Sequence, residues 1–168
     1  MTIIETIYLA GGCLWGVQYF FKEMTGIHHV EAGRANGTTN SLVGPYDGYA
    51  ECVKIDYDPE KISLTQLLDY FFEIIDPYSL NQQGFDKGEK YRTGIYSQKA
   101  EPLLVARQYI DAREDADKIR VEVKPLTNYI ASALIHQNHL DIYPEDRYLC
   151  HLPTAVLNRY RKTQPVQD

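Results

Sequence analysis

The sequence is poor in the features that define several large protein classes. Its 168 residues contain three cysteines, too few and too widely spaced for a disulfide-stabilised secreted fold, and no Cys-x-x-Cys pair that would indicate a thioredoxin-type motif or a zinc ribbon. No apolar run approaches the ~20 residues needed to cross a bilayer, and the start of the chain lacks the basic and apolar segments of a signal peptide. We therefore expect no membrane association and a cytoplasmic location.

Basic residues are also scarce relative to acidic ones. The chain has 17 Lys and Arg against 23 Asp and Glu, for a formal net charge of −6, and its basic residues are scattered. Because a nucleic-acid binder needs a basic surface, no nucleic-acid partner is expected. No repeat, low-complexity tract or linker divides the sequence, and its length suits one hydrophobic core. Residues 1–168 are therefore predicted to form a single domain.

Hydrophobic periodicity predicts strands and helices that are interspersed along the chain. The predicted strands cover residues 6–10, 27–32, 49–57, 92–97 and 119–123. The predicted helices cover residues 13–24, a segment capped by Ser63, residues 102–113, residues 130–140 and a short stretch at 155–161, and residues 79–91 are predicted to form a polar loop. This order is typical of an α/β protein, and we predict a two-layer α/β sandwich around a mixed sheet, of the ferredoxin-like type.

The segment around Cys13 carries the strongest chemical signal. A predicted strand runs into Gly11 and Gly12, and Cys13 then begins a predicted helix. The unpaired amides and the partial positive charge of a helix N-terminus favour a thiolate, and Trp15 offers an apolar wall to a substrate. The alternative is a buried Cys13 that packs as a small apolar residue with Trp15 in the core. The local sequence alone leaves both interpretations open.

The predicted strand at 49–57 places two reactive residue types on opposite faces. Glu51 shares a face with Tyr49, Val53 and Ile55, which indicates burial and hence a raised pKa, although a carboxylate in mid-strand is more often solvent-facing. Cys52 lies on the other face and is predicted to be a packed core thiol.

Ordered blocks along nearly the whole chain carry a family resemblance. They are residues 12–16, 33–37, 48–51, 58–59, 76–77, 81–84, 86–88, 91–92, 136–140 and 148–151. In this order they resemble the methionine sulfoxide reductase A family, and residues 76–92 are the most specific part. The resemblance implies an enzyme that reduces the S epimer of methionine sulfoxide in oxidised proteins or peptides.

The resemblance also implies roles for individual residues. Cys13 would attack the sulfoxide sulfur, Glu51 would supply a proton to the oxygen, and Tyr91 would hydrogen-bond that oxygen. Asp86 and Trp15, with Leu14 beside them, would hold the substrate. These roles suit the chemistry, since a sulfoxide is a poor electrophile until its oxygen is protonated.

Recycling is implied in the same way. Attack leaves a sulfenic acid on Cys13, a second thiol condenses with it to form a disulfide, and thioredoxin restores the enzyme. Cys150 falls where many family members carry the resolving cysteine, and a back-up role for Cys52 stays open. No metal and no cofactor are expected.

The sequence departs from the family pattern at several positions around the site. Leu14 replaces a phenylalanine, and Tyr49 replaces a histidine. The segment at 38–47 is shorter than usual, so the family's second catalytic tyrosine has two candidates, Tyr46 and Tyr49. Tyr49 is favoured, and predicted to bind substrate, because it is expected to share a strand face with Glu51.

Two rival functions follow from the same residues. A degenerate relative could bind methionine sulfoxide, or sense redox state, with little turnover. A structural zinc protein could use His136, His139, Cys150 and His151 as ligands. Turnover with a dithiol would separate the first rival from an enzyme, and metal analysis would separate the second.

Overall fold

The computed structural model describes residues 3–149 and 154–160, and its centre is a six-stranded mixed sheet. The strands are β1 (Glu5–Gly11), β2 (Ile27–Ala35), β3 (Ala50–Tyr57), β4 (Gln82–Gln83), β5 (Asp86–Lys87), β6 (Thr93–Ser97), β7 (Glu122–Pro125) and β8 (Tyr129–Ala131). The order in the main sheet is β7-β6-β1-β3-β2-β8, and β4 and β5 form a separate small hairpin. Among the strands of the described residues, only β6 and β7 pair in parallel, and the other pairs of the main sheet are antiparallel.

The helices are short. They are α1 (Leu14–Phe21), α2 (Leu64–Ile74), α3 (Ala100–Asp111), α4 (His139–Ile142) and α5 (Thr154–Leu157). Within residues 3–149 and 154–160, no helix has both the length and the apolar character needed to span a membrane. Ser63 is the N-cap residue of α2 and forms a capping box with Gln66. The Ser63 hydroxyl accepts a hydrogen bond from the Gln66 amide, and the Gln66 side chain accepts one from the Ser63 amide.

Alternation along β1 divides the interior into two clusters. Ile7 and Leu9 join the main core, which also contains the inward faces of α1, α2 and α3. Tyr8 and Ala10 point to the opposite face of the sheet and join a smaller cluster that includes Cys52. The three longest helices therefore lie on one face of the sheet, which confirms the prediction of an α/β protein built around a mixed sheet.

The connectivity of the central unit is β1-α1-β2-β3-α2-β6, and its four strands lie in the order β6-β1-β3-β2. This order brings the ends of β1, β2 and β3 together, because β3 lies between the other two. The start of α1 follows β1 directly, so residues after β1 meet side chains from β2 and β3.

The prediction of a helix at residues 130–140 was wrong. This segment contains β8, a 3-10 turn at Leu134–His136 and the start of α4. Tertiary pairing overrides the helical pattern, because β8 adds to the edge of β2, with Arg34 opposite Ile130. Gln137 continues that pairing with its side chain, which accepts from the Ala32 amide (2.9 Å) and donates to the Ala32 carbonyl (2.8 Å).

Two other segments differ from expectation. The predicted strand at 119–123 is shifted to β7, at Glu122–Pro125. The predicted polar loop at 79–91 contains the β4–β5 hairpin and a 3-10 turn at Glu89–Tyr91. Gln83 anchors this segment: its buried side chain accepts from the Asp76 amide (2.7 Å) and donates to the Asp76 carbonyl (2.8 Å).

Candidate active site

Cys13 lies at the junction of the sheet and the first helix. It is the N-cap residue of α1, with extended backbone angles, and it is half-buried. Gly12 takes φ of 89°, a left-handed conformation that glycine adopts at little cost, and Gly11 packs so close to Phe71 that a Cβ would lie 3.0 Å from its ring. The two glycines thus allow the chain to turn from β1 into α1 and leave the Cys13 side chain at the positive end of the helix.

A cavity of about 250 Å³ opens above Cys13. It is lined by Cys13, Leu14, Trp15, Arg34, Glu51, Asp86, Tyr91, Ser132 and His136. We call it the Cys13 cavity. Six of these residues were predicted from the sequence as site residues, and the fold brings them together from α1, β3, β5 and the 3-10 turn that ends at Tyr91.

Glu51 has a carboxyl group that can hold a proton near neutral pH. It lies in β3 and is half-buried, and its pKa is raised to about 7. Burial is the largest cause, and the negative charge of Asp86 adds to it, whereas the cations Lys90 and Arg34 oppose the shift. The group is thus poised to donate or accept a proton inside the cavity.

Tyr91 presents a phenol to the same cavity. It ends the 3-10 turn that begins at Glu89, and its amide donates to the Gly88 carbonyl (3.0 Å). Its pKa is raised by burial and by the nearby Glu51, so the hydroxyl stays protonated and remains a hydrogen-bond donor at neutral pH.

Trp15 forms an aromatic wall that two histidines hold in place. Its ring stacks on His139 with a centroid distance of 3.7 Å and an interplanar angle of 7°, and its indole Nε1 donates to Nδ1 of His136 (3.4 Å). The pKa of His136 is lowered by burial, which favours the neutral acceptor form that this bond needs. His139 also lies 2.7 Å from a carboxylate oxygen of Asp146.

Arg34 is one of three cavity residues that the sequence prediction did not assign to this site, and Ser132 and His136 are the other two. It lies in β2 directly opposite Glu51 in β3, and its guanidinium is 4.3 Å from the centroid of the Tyr49 ring. Within the part of the chain that the structure describes, it makes no ion pair with a carboxylate. The available signal was a charged residue between Gly33 and Ala35, two small residues just beyond the predicted strand at 27–32 that the structure buries in β2.

The two candidate tyrosines lie outside the Cys13 cavity. Tyr46 donates its hydroxyl to the Tyr49 carbonyl (2.6 Å), and the two rings meet edge-on at 4.8 Å. Both line a neighbouring cavity of about 380 Å³, formed by residues 41–47 and 88–90 together with Arg34 and Tyr49. We call it the loop cavity. Tyr49 was expected to share a strand face with Glu51, but it precedes β3, which begins at Ala50.

Of the other two cysteines, the structure describes Cys52 but not Cys150. Cys52 is 1% exposed in the smaller core cluster, as its predicted strand face required, and burial raises the pKa of its thiol. Cys150, the predicted resolving cysteine, lies outside the described residues, as does His151 of the predicted zinc set. Among residues 3–149 and 154–160, no group of three or more His, Cys, Asp or Glu side chains could hold a metal ion.

Comparison with known proteins assigns the fold and the family. The chain matches the family model "Peptide methionine sulfoxide reductase" over residues 5–167. Two similar solved structures are Mxr1 from Saccharomyces cerevisiae in reduced form and methionine sulfoxide reductase A of Corynebacterium diphtheriae. The yeast protein is 29% identical, with a TM-score of 0.77, and the match covers 84% of this chain and 87% of that one. The bacterial protein is 28% identical, with a TM-score of 0.76, and the match covers 84% of this chain and 76% of that one.

A third structure, yeast Mxr1 in complex with Trx2, is 22% identical with a TM-score of 0.59 and supports the fold alone. That match covers 81% of this chain and 84% of the yeast chain. The family match spans almost the whole sequence. The matches to reduced yeast Mxr1 and to the Corynebacterium diphtheriae enzyme cover most of this chain and most of each matched chain. The chain therefore belongs to the peptide methionine sulfoxide reductase family.

Proposed function

We propose that this protein reduces methionine S-sulfoxide in peptides and proteins to methionine, with Cys13 as the nucleophile. The observation that carries the proposal is the Cys13 cavity. In this cavity, Cys13 at the start of α1 lies with the Glu51 carboxyl group, whose pKa is about 7, and with the protonated phenol of Tyr91. The chain's membership of the peptide methionine sulfoxide reductase family gives this arrangement its interpretation.

The chemical step needs a thiolate and an acid. The sulfur of Cys13 attacks the sulfoxide sulfur while protonated Glu51 gives its proton to the sulfoxide oxygen and Tyr91 donates a hydrogen bond to it. The attack forms a bond between the two sulfurs. The protonated oxygen then passes from the substrate sulfur to the Cys13 sulfur, so the substrate's sulfur–oxygen bond and the new sulfur–sulfur bond both break. The net step converts a thiol and a sulfoxide into a sulfenic acid and a thioether, with two electrons passing from the cysteine to the substrate.

Arg34 takes part in this step as a second donor to the oxygen. Its guanidinium lines the Cys13 cavity and lies across the strand pair from Glu51, whereas Tyr46 and Tyr49 line the loop cavity. A guanidinium carries several N–H donors and stays protonated, so it can stabilise negative charge on the departing oxygen and on Glu51 after proton transfer. Tyr49 then acts indirectly, as the ring on which Arg34 rests.

The remaining cavity residues bind the substrate. Trp15 and the buried Leu14 form the apolar wall against which the sulfoxide methyl group packs. Asp86 provides a carboxylate that can accept a hydrogen bond from a backbone amide of the substrate.

Regeneration uses a second thiol and an external dithiol. A thiol condenses with the Cys13 sulfenic acid to give a disulfide and water, and a dithiol such as thioredoxin then reduces the disulfide. Cys150 is proposed for this role, and the complex of yeast Mxr1 with Trx2 makes thioredoxin the natural candidate for the dithiol. A reducing compartment suits this cycle, and the cytoplasmic location stays a prediction.

For the fold, we propose the ferredoxin-like type. The support is the β-α-β-β-α-β connectivity with two helices on one face, which is the arrangement of that fold.

The test is reduction of the two sulfoxide epimers with dithiothreitol, for wild type and Cys13→Ser in parallel. We expect wild type to reduce the S epimer and Cys13→Ser to reduce neither, because a hydroxyl is far less nucleophilic than a thiolate. Binding of the S epimer by wild type without turnover would favour a methionine-sulfoxide-binding module instead. Appreciable turnover by Cys13→Ser would remove the nucleophile assignment.

A further inference from the structure

The loop cavity adjoins the Cys13 cavity, and its volume of about 380 Å³ exceeds the 250 Å³ of that cavity. The two share one lining residue, Arg34, and Lys90 of the loop cavity directly precedes Tyr91 of the Cys13 cavity. Adjacent Cα atoms of a peptide are 3.8 Å apart, so a chain with its oxidised methionine over Cys13 would carry its next residues to the loop cavity.

The walls of the loop cavity suit a side chain whose methylene groups can pack on aromatic rings. Tyr46 and Tyr49 form one side, with their rings in edge-on contact, and Val43 lies at the rim with 82% of its surface exposed. The Tyr46 hydroxyl is already engaged by the Tyr49 carbonyl, so the tyrosines offer mainly ring surface.

The charges of the loop cavity favour an anion. Its two carboxylates are Asp47 and Glu89. One oxygen of Asp47 accepts from the amide and hydroxyl of Thr39 (2.9 and 2.6 Å), while its other oxygen is buried and has no hydrogen-bond partner within the described residues. Glu89 lies 3.9 Å from Arg92. Its two cations, Arg34 and Lys90, are half-buried, and in the described ranges 3–149 and 154–160 neither forms an ion pair with a carboxylate. Both rest on aromatic rings, Arg34 on Tyr49 and Lys90 on Tyr91.

We propose that the loop cavity binds an acidic side chain, Asp or Glu, located one or two positions from the methionine sulfoxide in a peptide substrate. This inference rests on the proposed function and narrows it. The protein would select oxidised methionines that have an acidic neighbour, because the carboxylate lies between Arg34 and Lys90 and its stem packs on the tyrosine rings.

A peptide scan tests the proposal. In an acetylated and amidated pentapeptide of alanines with a central methionine S-sulfoxide, one Glu or one Gln is placed in turn at each flanking position. Glu and Gln have nearly the same shape, so the ratio of their kcat/KM values at each position isolates the effect of charge. We expect Glu to be preferred by about threefold to tenfold at one or more positions, and the ratio to fall towards one as salt is raised.

Two variants and one control variant link the preference to the loop cavity. Lys90→Gln should reduce the Glu/Gln ratio to near one, whereas Lys87→Gln removes the same charge from an exposed position that lines neither cavity and should leave the ratio unchanged. Val43→Glu, at the exposed rim, should also lower the ratio. The ratio compares two substrates on one enzyme, so an effect of Lys90 on the Glu51 pKa cancels.

The outcomes separate this inference from the proposed function. Reduction of all the peptides with a Glu/Gln ratio near one at every position would overturn the acidic-residue site and leave the reductase function standing. A preference for Glu that Lys87→Gln abolishes as fully as Lys90→Gln would also overturn it, since the effect would then be one of overall charge. Reduction of none of the peptides would contradict both proposals.

Discussion

At the scale of single residues, the proposed chemistry depends on the balance of charges around Glu51. Burial and Asp86 favour its protonated form, while Lys90 and Arg34 favour the carboxylate, and the result is a pKa of about 7. An isolated glutamate would be almost fully ionised at neutral pH and could not serve as an acid. The two cations, Lys90 and Arg34, would stabilise the carboxylate that remains once the proton has moved to the substrate.

Replacing Glu51 should reveal its role as the acid in the pH dependence of kcat/KM. We expect Glu51→Gln to lower kcat/KM for methionine S-sulfoxide by roughly 10², the usual effect of a positioned general acid. The loss should be largest below pH 7, where Glu51 is protonated, and should shrink as pH rises through about 7, where wild type loses its proton too. The ratio of wild-type to variant kcat/KM, measured from about pH 5.5 to about pH 8.5, follows the loss of the Glu51 proton, because this range extends about one and a half pH units on either side of its pKa. A ratio that does not vary with pH would argue against Glu51 as the acid.

Arg34 gives a second test at the same scale. We expect Arg34→Met to lower kcat/KM by roughly 10², the effect of removing one donor to a developing negative charge. Because Arg34 lowers the pKa of Glu51, the variant should also retain its protonated acid to higher pH, so the alkaline fall in activity should move upwards. Arg34→Lys should recover part of the rate.

The control for Arg34 is Arg120→Met, which removes an exposed guanidinium that lines none of the cavities described above. It should change neither the rate nor the pH profile. A purely structural role for Arg34 would lower activity without moving the alkaline limb, and that result would contradict the assignment.

At the scale of elements, the segment after β8 supports the wall of the Cys13 cavity through side-chain hydrogen bonds. Gln137 donates to the carbonyls of Ala32 and Ser132 (2.8 and 2.9 Å) and accepts from the Ala32 amide (2.9 Å). The buried Gln18 donates to Gln137 (3.2 Å) and accepts from the Asn138 amide (2.9 Å). These bonds hold Ser132 and His136 in position, and His136 in turn accepts the indole hydrogen of Trp15.

Removing this support should affect both stability and binding. Gln137→Leu leaves the buried Ala32 amide without its hydrogen-bond acceptor, whereas the Ala32 carbonyl keeps the hydrogen bond from the Ser132 amide (3.0 Å). We expect the substitution to lower the free energy of unfolding by about 1 to 3 kcal/mol, the cost of one unsatisfied buried group. The KM for a peptide substrate should rise, because the wall that carries His136 loosens. Chemical denaturation and steady-state kinetics measure the two effects. Gln98→Leu, at an exposed position, is the control and should change neither, and a Gln137→Leu protein as stable as wild type would contradict this account.

The elements also show what periodicity could and could not predict. The apolar pattern, read as buried runs or as alternation, identified β1, β2, β3 and β6 to within a few residues, because buried strands carry this pattern in their own sequence. It failed at 130–140, where the structure depends on the free edge of β2 and on a glutamine side chain that replaces a backbone partner. Such pairing is a property of two distant segments and leaves no local period.

At the scale of the whole molecule, the site is assembled from parts far apart in the sequence. Cys13 follows β1, Arg34 and Glu51 face each other across β2 and β3, and Tyr91 precedes β6. Family resemblance predicted Cys13, Glu51 and Tyr91 because the motifs around them are specific. It did not single out Arg34, although residues 33–37 match a family block, because the place of this residue in the cavity depends on the register of β2 against β3.

Recycling also belongs to this scale, because Cys150, the residue proposed to resolve the sulfenic acid, lies far from Cys13 in the sequence. We expect Cys150→Ser to stall with thioredoxin after about one turnover, since thioredoxin reduces disulfides rather than a sulfenic acid inside a cavity. Dithiothreitol should rescue the variant, because a small thiol can reach Cys13. Cys52→Ser is the matched control and should turn over normally with thioredoxin, given its position in the core. Unimpaired thioredoxin turnover by Cys150→Ser would assign the resolving role elsewhere.

The central claim is that Cys13 accepts the oxygen of the substrate. The most direct measurement is peptide mapping by mass spectrometry of Cys150→Ser after one equivalent of methionine S-sulfoxide, without reductant. The account predicts about one equivalent of released methionine and one added oxygen on the peptide that contains Cys13, as a sulfenic acid that a thiol reverses. Release of methionine with Cys13 left unmodified, or with the oxygen found on the peptide that contains Cys52, would contradict it.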